Sequence, residues 1–432
     1  MAITTDLIII GSGPGGYRAA DYAAKKGLQV IVVEAAHAGG TCLNCGCIPT
    51  KSLCHDAELA DLGLPVDFAA IMQRKQQVVE QLRSGVETLL SQPHVTLVRG
   101  KAAFKNANTI VVNEEEYQAK DIIIATGSHA IMPSSIEGIH QAHVMMSTEL
   151  LDIDHVPQRL CIVGAGVIGM EFASVFNSFG SEVVVIEFMK ECLPNMDGDI
   201  AKRLRKCLEK RGIKFYLQSG VKKIDEKQVV FECKGKENSI EADTVLIATG
   251  RGANTEGLNL DAVGINYSRK GIEVDDNMQT NIPHVYAIGD VNGRQMLAHA
   301  ATFQGFRAIN HILGKTDAIR FDIMPAAVFT TPEAACVGVT EGYCKENGIA
   351  YTCHKGYYRA NGKALAINAT EGMVKLLTDE NNVIMGCHIY GAHASDLTQE
   401  IAALMNHGTT LDRLHDIIHA HPTLEEILQE LN

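Results

Sequence analysis

Three apolar runs occur twice along the chain, in the same order. Residues 6–16, DLIIIGSGPGG, and residues 160–169, LCIVGAGVIG, each run from an apolar strand into a glycine-rich turn. A helix-like stretch follows each turn, and then a second apolar strand, VIVVE ending at Glu34 and VVVIE ending at Glu187. Further on, IIIATG at Ile122–Gly127 and VLIATG at Val245–Gly250 repeat a third strand and its closing turn. Short apolar runs bounded by glycine read as buried strands, and their alternation with helices reads as βαβ units around a parallel sheet. The pattern predicts one nucleotide-binding architecture built twice by internal repetition.

Between the repeated units, a Gln- and Glu-rich stretch from Ala69 to Ser91 predicts a long helix. From about Phe321 the pattern changes to strands punctuated by Pro and Gly, followed by helices at Leu397–His407 and Leu411–His419. That change predicts a separate carboxy-terminal α+β domain.

The glycines turn the repeat into a chemical expectation. They fall at Gly11, Gly13 and Gly16 in the first copy and at Gly164, Gly166 and Gly169 in the second, and Glu34 and Glu187 each lie 23 residues beyond the first glycine. A lone GxGxxG is often an ordinary tight turn. A strand before it, a helix after it and an acid about 20 residues on define a dinucleotide site, in which backbone approaches the pyrophosphate and the acid accepts from a ribose hydroxyl. Two such sites are expected.

Charge and composition narrow the partners. The 432 residues carry a formal net charge of −13 and no basic run, which argues against nucleic acid and against an anionic membrane surface. No stretch approaches the ~20 apolar residues of a spanning helix, and the first residues run directly into a strand, so neither signal peptide nor anchor is expected. The 12 cysteines are scattered rather than densely and evenly spaced, as suits buried thiols in a reducing, cytoplasmic setting.

One cysteine cluster stands apart. GGTCLNCGCIPTK at residues 39–51 places Cys42, Cys45 and Cys47 directly after the first repeat's glutamate. In an α-helix, residues five apart have Cα atoms roughly 8 to 9 Å apart, beyond the ~7 Å limit for a disulfide. If Cys42 and Cys47 pair, the segment must bend, and Gly46 is suited to that. The rival readings are half of a zinc site, for which no second ligand pair is evident, and three inert thiols. A redox pair beside a bound flavin accounts best for the glycine-rich approach and Pro49, with Cys45 as a small apolar filler. At the far end, HAHPTLEE at residues 419–426 sets His421 before Pro422 and five residues before Glu426, an arrangement for an oriented general base. A structural histidine is the alternative there, and the i, i+4 pair His415 and His419 lacks nearby acidic or thiol ligands for a metal.

At these residues the chain resembles the FAD-dependent pyridine nucleotide disulfide oxidoreductases over essentially its whole length, and within them the dihydrolipoamide dehydrogenase branch. The motifs that carry the resemblance are GGTCLNCGCIPTK, VYAIGD at Val285–Asp290, MLAHA at Met296–Ala300, and HAHPTLEE. The resemblance implies an α/β fold of two Rossmann-like domains plus a carboxy-terminal α+β dimerisation domain. FAD would bind 1–140 together with a returning segment at 263–318, NAD would bind 141–262, and 319–432 would join two copies into a homodimer.

The resemblance also implies roles. Cys42 would be the interchange thiol and Cys47 the thiol facing the flavin, while His421 with Glu426 would act as base on the disulfide of the other subunit. Lys51 and Glu171 would pair near the reactive edge of the flavin, and Asp290 would hold the ribityl chain. Thr41, Ala102, Thr126, Gly127, Ser128 and the stretch Met296, Leu297, Ala298 and His299 would line the FAD site, and Val221 and Gly250 would join Glu187 around NAD. No metal is implied. The reaction implied is oxidation of a dihydrolipoyl group, carried by a lipoyl-bearing protein of a 2-oxo acid dehydrogenase or glycine cleavage complex, by NAD⁺. The rivals are an NAD(P)H-dependent reductase of another disulfide, a metal ion or a quinone, and a scaffold whose flavin is structural. Two features depart from the family pattern, a short segment after Lys51 and GAHASDLTQE at Gly391–Glu400, and no lipoyl-bearing extension before Met1 is expected.

Overall fold

A computed structural model describes residues 2–431. The chain forms two compact units, one of residues 1–52, 72–131 and 250–319, the other of 53–71, 132–249 and 320–432.

The first unit is built on a seven-stranded sheet. Strand Ile3–Ile10 lies at its centre, paired in parallel with Val30–Glu34 on one side and Glu115–Ile124 on the other. Val95–Arg99 extends the sheet beyond Val30–Glu34, and the short strand Val285–Ala287 returns late in the chain to pair in parallel with Ile122–Ile124. The central strands are buried on both faces, which is why they read as unbroken Ile and Val rather than alternating. Helix Pro14–Lys25 begins on Pro14, whose missing N–H costs nothing in a first turn. It packs on helix Ala298–Ile312 through small residues: an added Cβ on Gly305 would meet the Cβ of Ala19, and one on Gly15 would meet Ala301.

The second unit holds the other fingerprint. Its parallel sheet runs in the order Lys214–Tyr216, Glu182–Ile186, Arg159–Val163, Thr244–Ile247, Val144–Met145, and helix Val167–Ser178 follows the glycine turn. An antiparallel three-stranded sheet, Ser219–Ile224, Gln228–Cys233 and Lys236–Glu241, follows in the chain. Residues 320–431 then form a five-stranded antiparallel sheet covered by helix Ala394–Asn406, with Ile389, Leu376, Ile401 and Leu397 in a common core. These sheets make up the expected α/β architecture of two dinucleotide-binding folds and an α+β region.

The helices differ from expectation at their ends. The long one spans Phe68–Leu90. The carboxy-terminal one begins at Ala394 rather than Leu397, directly after His393, which sits in the left-handed region at φ 56°. The next stops at His415 rather than His419. After it the chain runs as a loop to Pro422, tied by the Gln429 amide donating to the Ile417 carbonyl and the Asn361 amide donating to the Thr423 carbonyl.

Candidate active site

The two glycine turns have the same geometry. Gly11 and Gly164 both take φ +107°, and a Cβ on either would fall on a carbonyl oxygen, of Ala125 and Ala248 respectively. A Cβ on Gly16 or Gly169 would likewise strike the carbonyl of the first glycine in its own turn, so helix and strand close up only without side chains there. Gly13 and Gly166, the second glycines, face open space. Backbone is therefore exposed where a phosphate bridge would approach, at the start of a helix with unpaired N–H groups. Glu34 and Glu187 are buried at the strand ends beside these turns. The residues fit a dinucleotide in both places.

The cysteine segment is laid against the first of these turns. Gly39 and Gly40 both take positive φ, 94° and 61°, and the Gly39 N–H donates to the Ser12 carbonyl at 3.0 Å. Helix Gly40–Cys45 then ends at Gly46, whose φ of −149° and ψ of −111° break it, and a second helix, Cys47–Asp61, begins at once. That break brings the Cα atoms of Cys42 and Cys47 to 4.6 Å, and the two are joined as a disulfide. Gly46 permits it because a Cβ there would press on the Thr41 carbonyl and the Cys42 Cα. Two residues that sequence reasoning passed over hold the turn. The Asn44 amide donates to the carbonyls of Ala38 and Gly40, and Arg83 donates to Asn44 at 2.7 Å. Cys45 is half-buried and not part of the disulfide.

Asp290 is held in the same unit. It follows the returning strand Val285–Ala287 in a short 3-10 turn, Gly289–Asn292. Its carboxylate accepts from the Ser128 hydroxyl at 2.5 Å, and Arg251 donates to that hydroxyl and to the Ser128 carbonyl at 2.7 Å each. Thr126 and Asn254 exchange side-chain hydrogen bonds with each other's carbonyls. The buried Gln304 supports the 3-10 turn by accepting from the Gly289 N–H and the Asn292 amide. Arg251, Asn254 and Gln304 carried no sequence signal, since each acts through contacts long in sequence. Ala102 is buried at a strand start, and Met296 to His299 form the amino-terminal end of helix Ala298–Ile312, with Leu297 as its cap.

Gly250, in the first unit, takes φ +126° with open space at its Cβ position. In the second unit, Val221 stands at a register shift in strand Ser219–Ile224. The Glu171 carboxylate accepts the Phe329 N–H at 3.0 Å. Lys51 lies in helix Cys47–Asp61, in the first unit. His421 Nδ1 lies 2.9 Å from Glu426, with the ring 80% exposed. The Thr423 N–H, and after it His421, hold the Glu426 carboxyl below the usual carboxylate range. His415 Nε2 faces the Leu431 carbonyl, and the buried His419 lies between the Ile417 carbonyl and Glu400.

Among the described residues no helix is long and apolar enough to cross a membrane. The sequence profile of the pyridine nucleotide-disulphide oxidoreductases matches residues 5–305, and that of their dimerisation domain matches residues 324–432. The chain belongs to this family of oxidoreductases. It is 39% identical to a dihydrolipoyl dehydrogenase of Bacillus subtilis over 99% of this chain and 96% of that one. It is 38% identical to a mitochondrial dihydrolipoyl dehydrogenase of Pisum sativum, covering 98% and 90%. Among solved structures it is similar to RclA of Escherichia coli, a HOCl-induced flavoprotein disulfide reductase, at 31% identity and a TM-score of 0.90 over 99% of both chains. A Cu(II) complex of that protein matches at 30% identity and TM-score 0.90, over 99% of this chain and 98% of that one.

Proposed function

We propose that this chain is a dihydrolipoyl dehydrogenase, oxidising a dihydrolipoyl group to its cyclic disulfide with NAD⁺ through Cys42 and Cys47. The observation that carries the reading is the Cys42–Cys47 disulfide seated on the first dinucleotide turn. The similarity to dihydrolipoyl dehydrogenases over nearly the full length supports it.

In this reading the first turn with Glu34, Thr41, Lys51, Ala102, Thr126, Gly127, Ser128, Asp290 and Met296 to His299 holds FAD. The second turn with Glu187, Val221 and Gly250 holds NAD. Residues 1–140 and 263–318 form the FAD-binding part, 141–262 the NAD-binding part and 319–432 the dimer-forming part of a cytoplasmic homodimer. FAD, when bound, supplies a two-electron carrier between the dithiol and the nicotinamide.

His421 takes the proton of one substrate thiol at Nε2, since Nδ1 is engaged by Glu426. The thiolate attacks Cys42 Sγ, the Cys42–Cys47 bond breaks, and Cys47 leaves as thiolate. The second substrate thiol then attacks the mixed disulfide, closing the lipoyl ring, and its proton goes to Cys42, which leaves as a thiol. The substrate has lost two electrons and two protons, and the cysteine pair has gained the electrons. His421 serves the disulfide of a second copy, and the substrate is a lipoyl-bearing protein.

A second reading is favoured by the likeness to RclA and its Cu(II) complex: an NAD(P)H-consuming reductase of another disulfide or of a metal ion. Steady-state rates with dihydrolipoamide and NAD⁺, set against glutathione disulfide, Cu(II), mercuric ion and quinones with NADH or NADPH, decide between them. Fast NADH formation from dihydrolipoamide supports the first reading, and negligible formation beside fast NAD(P)H oxidation by another acceptor replaces it.

A further inference from the structure

One buried hydroxyl distinguishes two otherwise matching turns. In each, the residue after the first glycine donates its backbone N–H to one oxygen of the strand-end glutamate: Ser12 to Glu34 at 2.9 Å, and Ala165 to Glu187 at 2.5 Å. In each, the residue two beyond the glutamate donates to the other oxygen: Ala36 at 2.8 Å, and Met189 at 2.6 Å. Only the first turn adds a side chain, the Ser12 hydroxyl, which reaches the same Glu34 oxygen at 2.6 Å and is fully buried. Ala165, equally buried, has no group to offer.

A carboxylate presents about four lone-pair sites. Among the described residues, Glu34 has three taken and Glu187 two. The extra bond is charge-assisted and shielded from water, so it holds the Glu34 side chain in one orientation before any ligand arrives. A ligand hydroxyl that meets a fixed acceptor loses less freedom of the site on binding, and so dissociates more slowly. Glu187, with one anchor fewer, keeps more freedom and two sites open.

We propose that Ser12 is a positioning residue that locks Glu34, and that its hydroxyl helps make the first dinucleotide resident while its absence from the second turn leaves that dinucleotide exchangeable. This rests on the reading of the first site as FAD and the second as NAD.

The test uses the holoenzyme and two substitutions. Release of FAD on dilution, followed by flavin fluorescence, should be roughly tenfold faster in Ser12→Ala, the scale of one lost hydrogen bond to a charged group. Ala165→Ser, which gives the second turn the missing hydroxyl, should lower the calorimetric dissociation constant of NAD⁺ several-fold, a gain that a merely structural role for the hydroxyl would not produce. Unchanged FAD release in Ser12→Ala, or unchanged NAD⁺ affinity in Ala165→Ser, overturns the proposal. If Ser12→Ala yields no folded protein, the Ala165→Ser titration decides alone. Chromatography of the cofactor released from wild-type protein separates the two claims: a resident group other than FAD removes the cofactor reading, while the Ala165→Ser result still judges the hydroxyl.

Discussion

The imidazole Nδ1 of His421 lies 2.9 Å from one carboxylate oxygen of Glu426, and the other oxygen accepts the Thr423 N–H at 2.9 Å. The carboxylate thus orients the ring and is itself oriented by the loop, leaving Nε2 exposed for substrate. His421→Gln should slow reduction of the enzyme by dihydrolipoamide by roughly 10²-fold or more, the scale of a removed general base, while FAD content stays near normal. Glu426→Gln should be milder, since it removes orientation and charge but no proton acceptor. Stopped-flow measurement of the thiol half-reaction checks both. Because the Thr423 N–H and His421 hold Glu426 below the usual carboxylate range, the ionised form that orients the ring persists further into acid than a free carboxylate would.

If His421 acts on the disulfide of a second copy, two inactive variants should complement each other. Heterodimers of Cys42→Ser and His421→Gln chains contain one intact pairing and should recover part of the dihydrolipoamide activity. Verified heterodimers without activity would place each complete site within one subunit.

Glu187 is buried, with each carboxylate oxygen accepting a backbone N–H. A 2′-phosphate brought there meets a like charge drawn toward the turn by two backbone N–H groups, at a cost of several kcal/mol. NAD should therefore outperform NADP in kcat/KM by at least roughly 100-fold. Steady-state kinetics with both nucleotides measures this, and Glu187→Ala should narrow the gap.

Lys375 bridges Asp197 at 2.7 Å and Glu341 at 2.5 Å, with Lys375 and Asp197 each 1% exposed. Burial pushes Asp197 up, but the hydrogen bond and charge of Lys375 outweigh it and hold the carboxyl low. Lys345, and after it Lys375, hold Glu341 at about 2. Carboxyls depressed by folding contribute stability above their unfolded pKa and lose it as pH falls through the folded value. Unfolding of the wild type should therefore set in between about pH 4.5 and about pH 2, where Glu341 titrates. Lys375→Met, which strands a buried carboxylate, should cost about 3–5 kcal/mol at neutral pH in denaturant unfolding.

The repeat, the disulfide and the His421–Glu426 contact were legible because each rests on local chemistry. Glycine at positions 11 and 164 is required by a backbone that no side chain tolerates, and the Cys42–Cys47 spacing carries its own need for a break at Gly46. Contacts made by ordinary polar residues far apart in sequence were not legible. Arg251 reaches Ser128 across 123 residues, and Ser12 in a glycine-rich turn reads as a turn former rather than as a donor to Glu34. Helix ends failed for a related reason. The stop at His415 is set by loop ties from Asn361 and Gln429, which no periodicity in residues 411–419 encodes.

The central claim is that electrons from a dithiol enter through Cys42. The direct measurement is NADH formation from dihydrolipoamide and NAD⁺ by Cys42→Ser, beside the same protein's reduction of its bound FAD by NADH. The account predicts dihydrolipoamide turnover lost to background, while NADH still reduces the flavin and FAD content is unchanged. Dihydrolipoamide turnover near the wild-type rate in Cys42→Ser would contradict it.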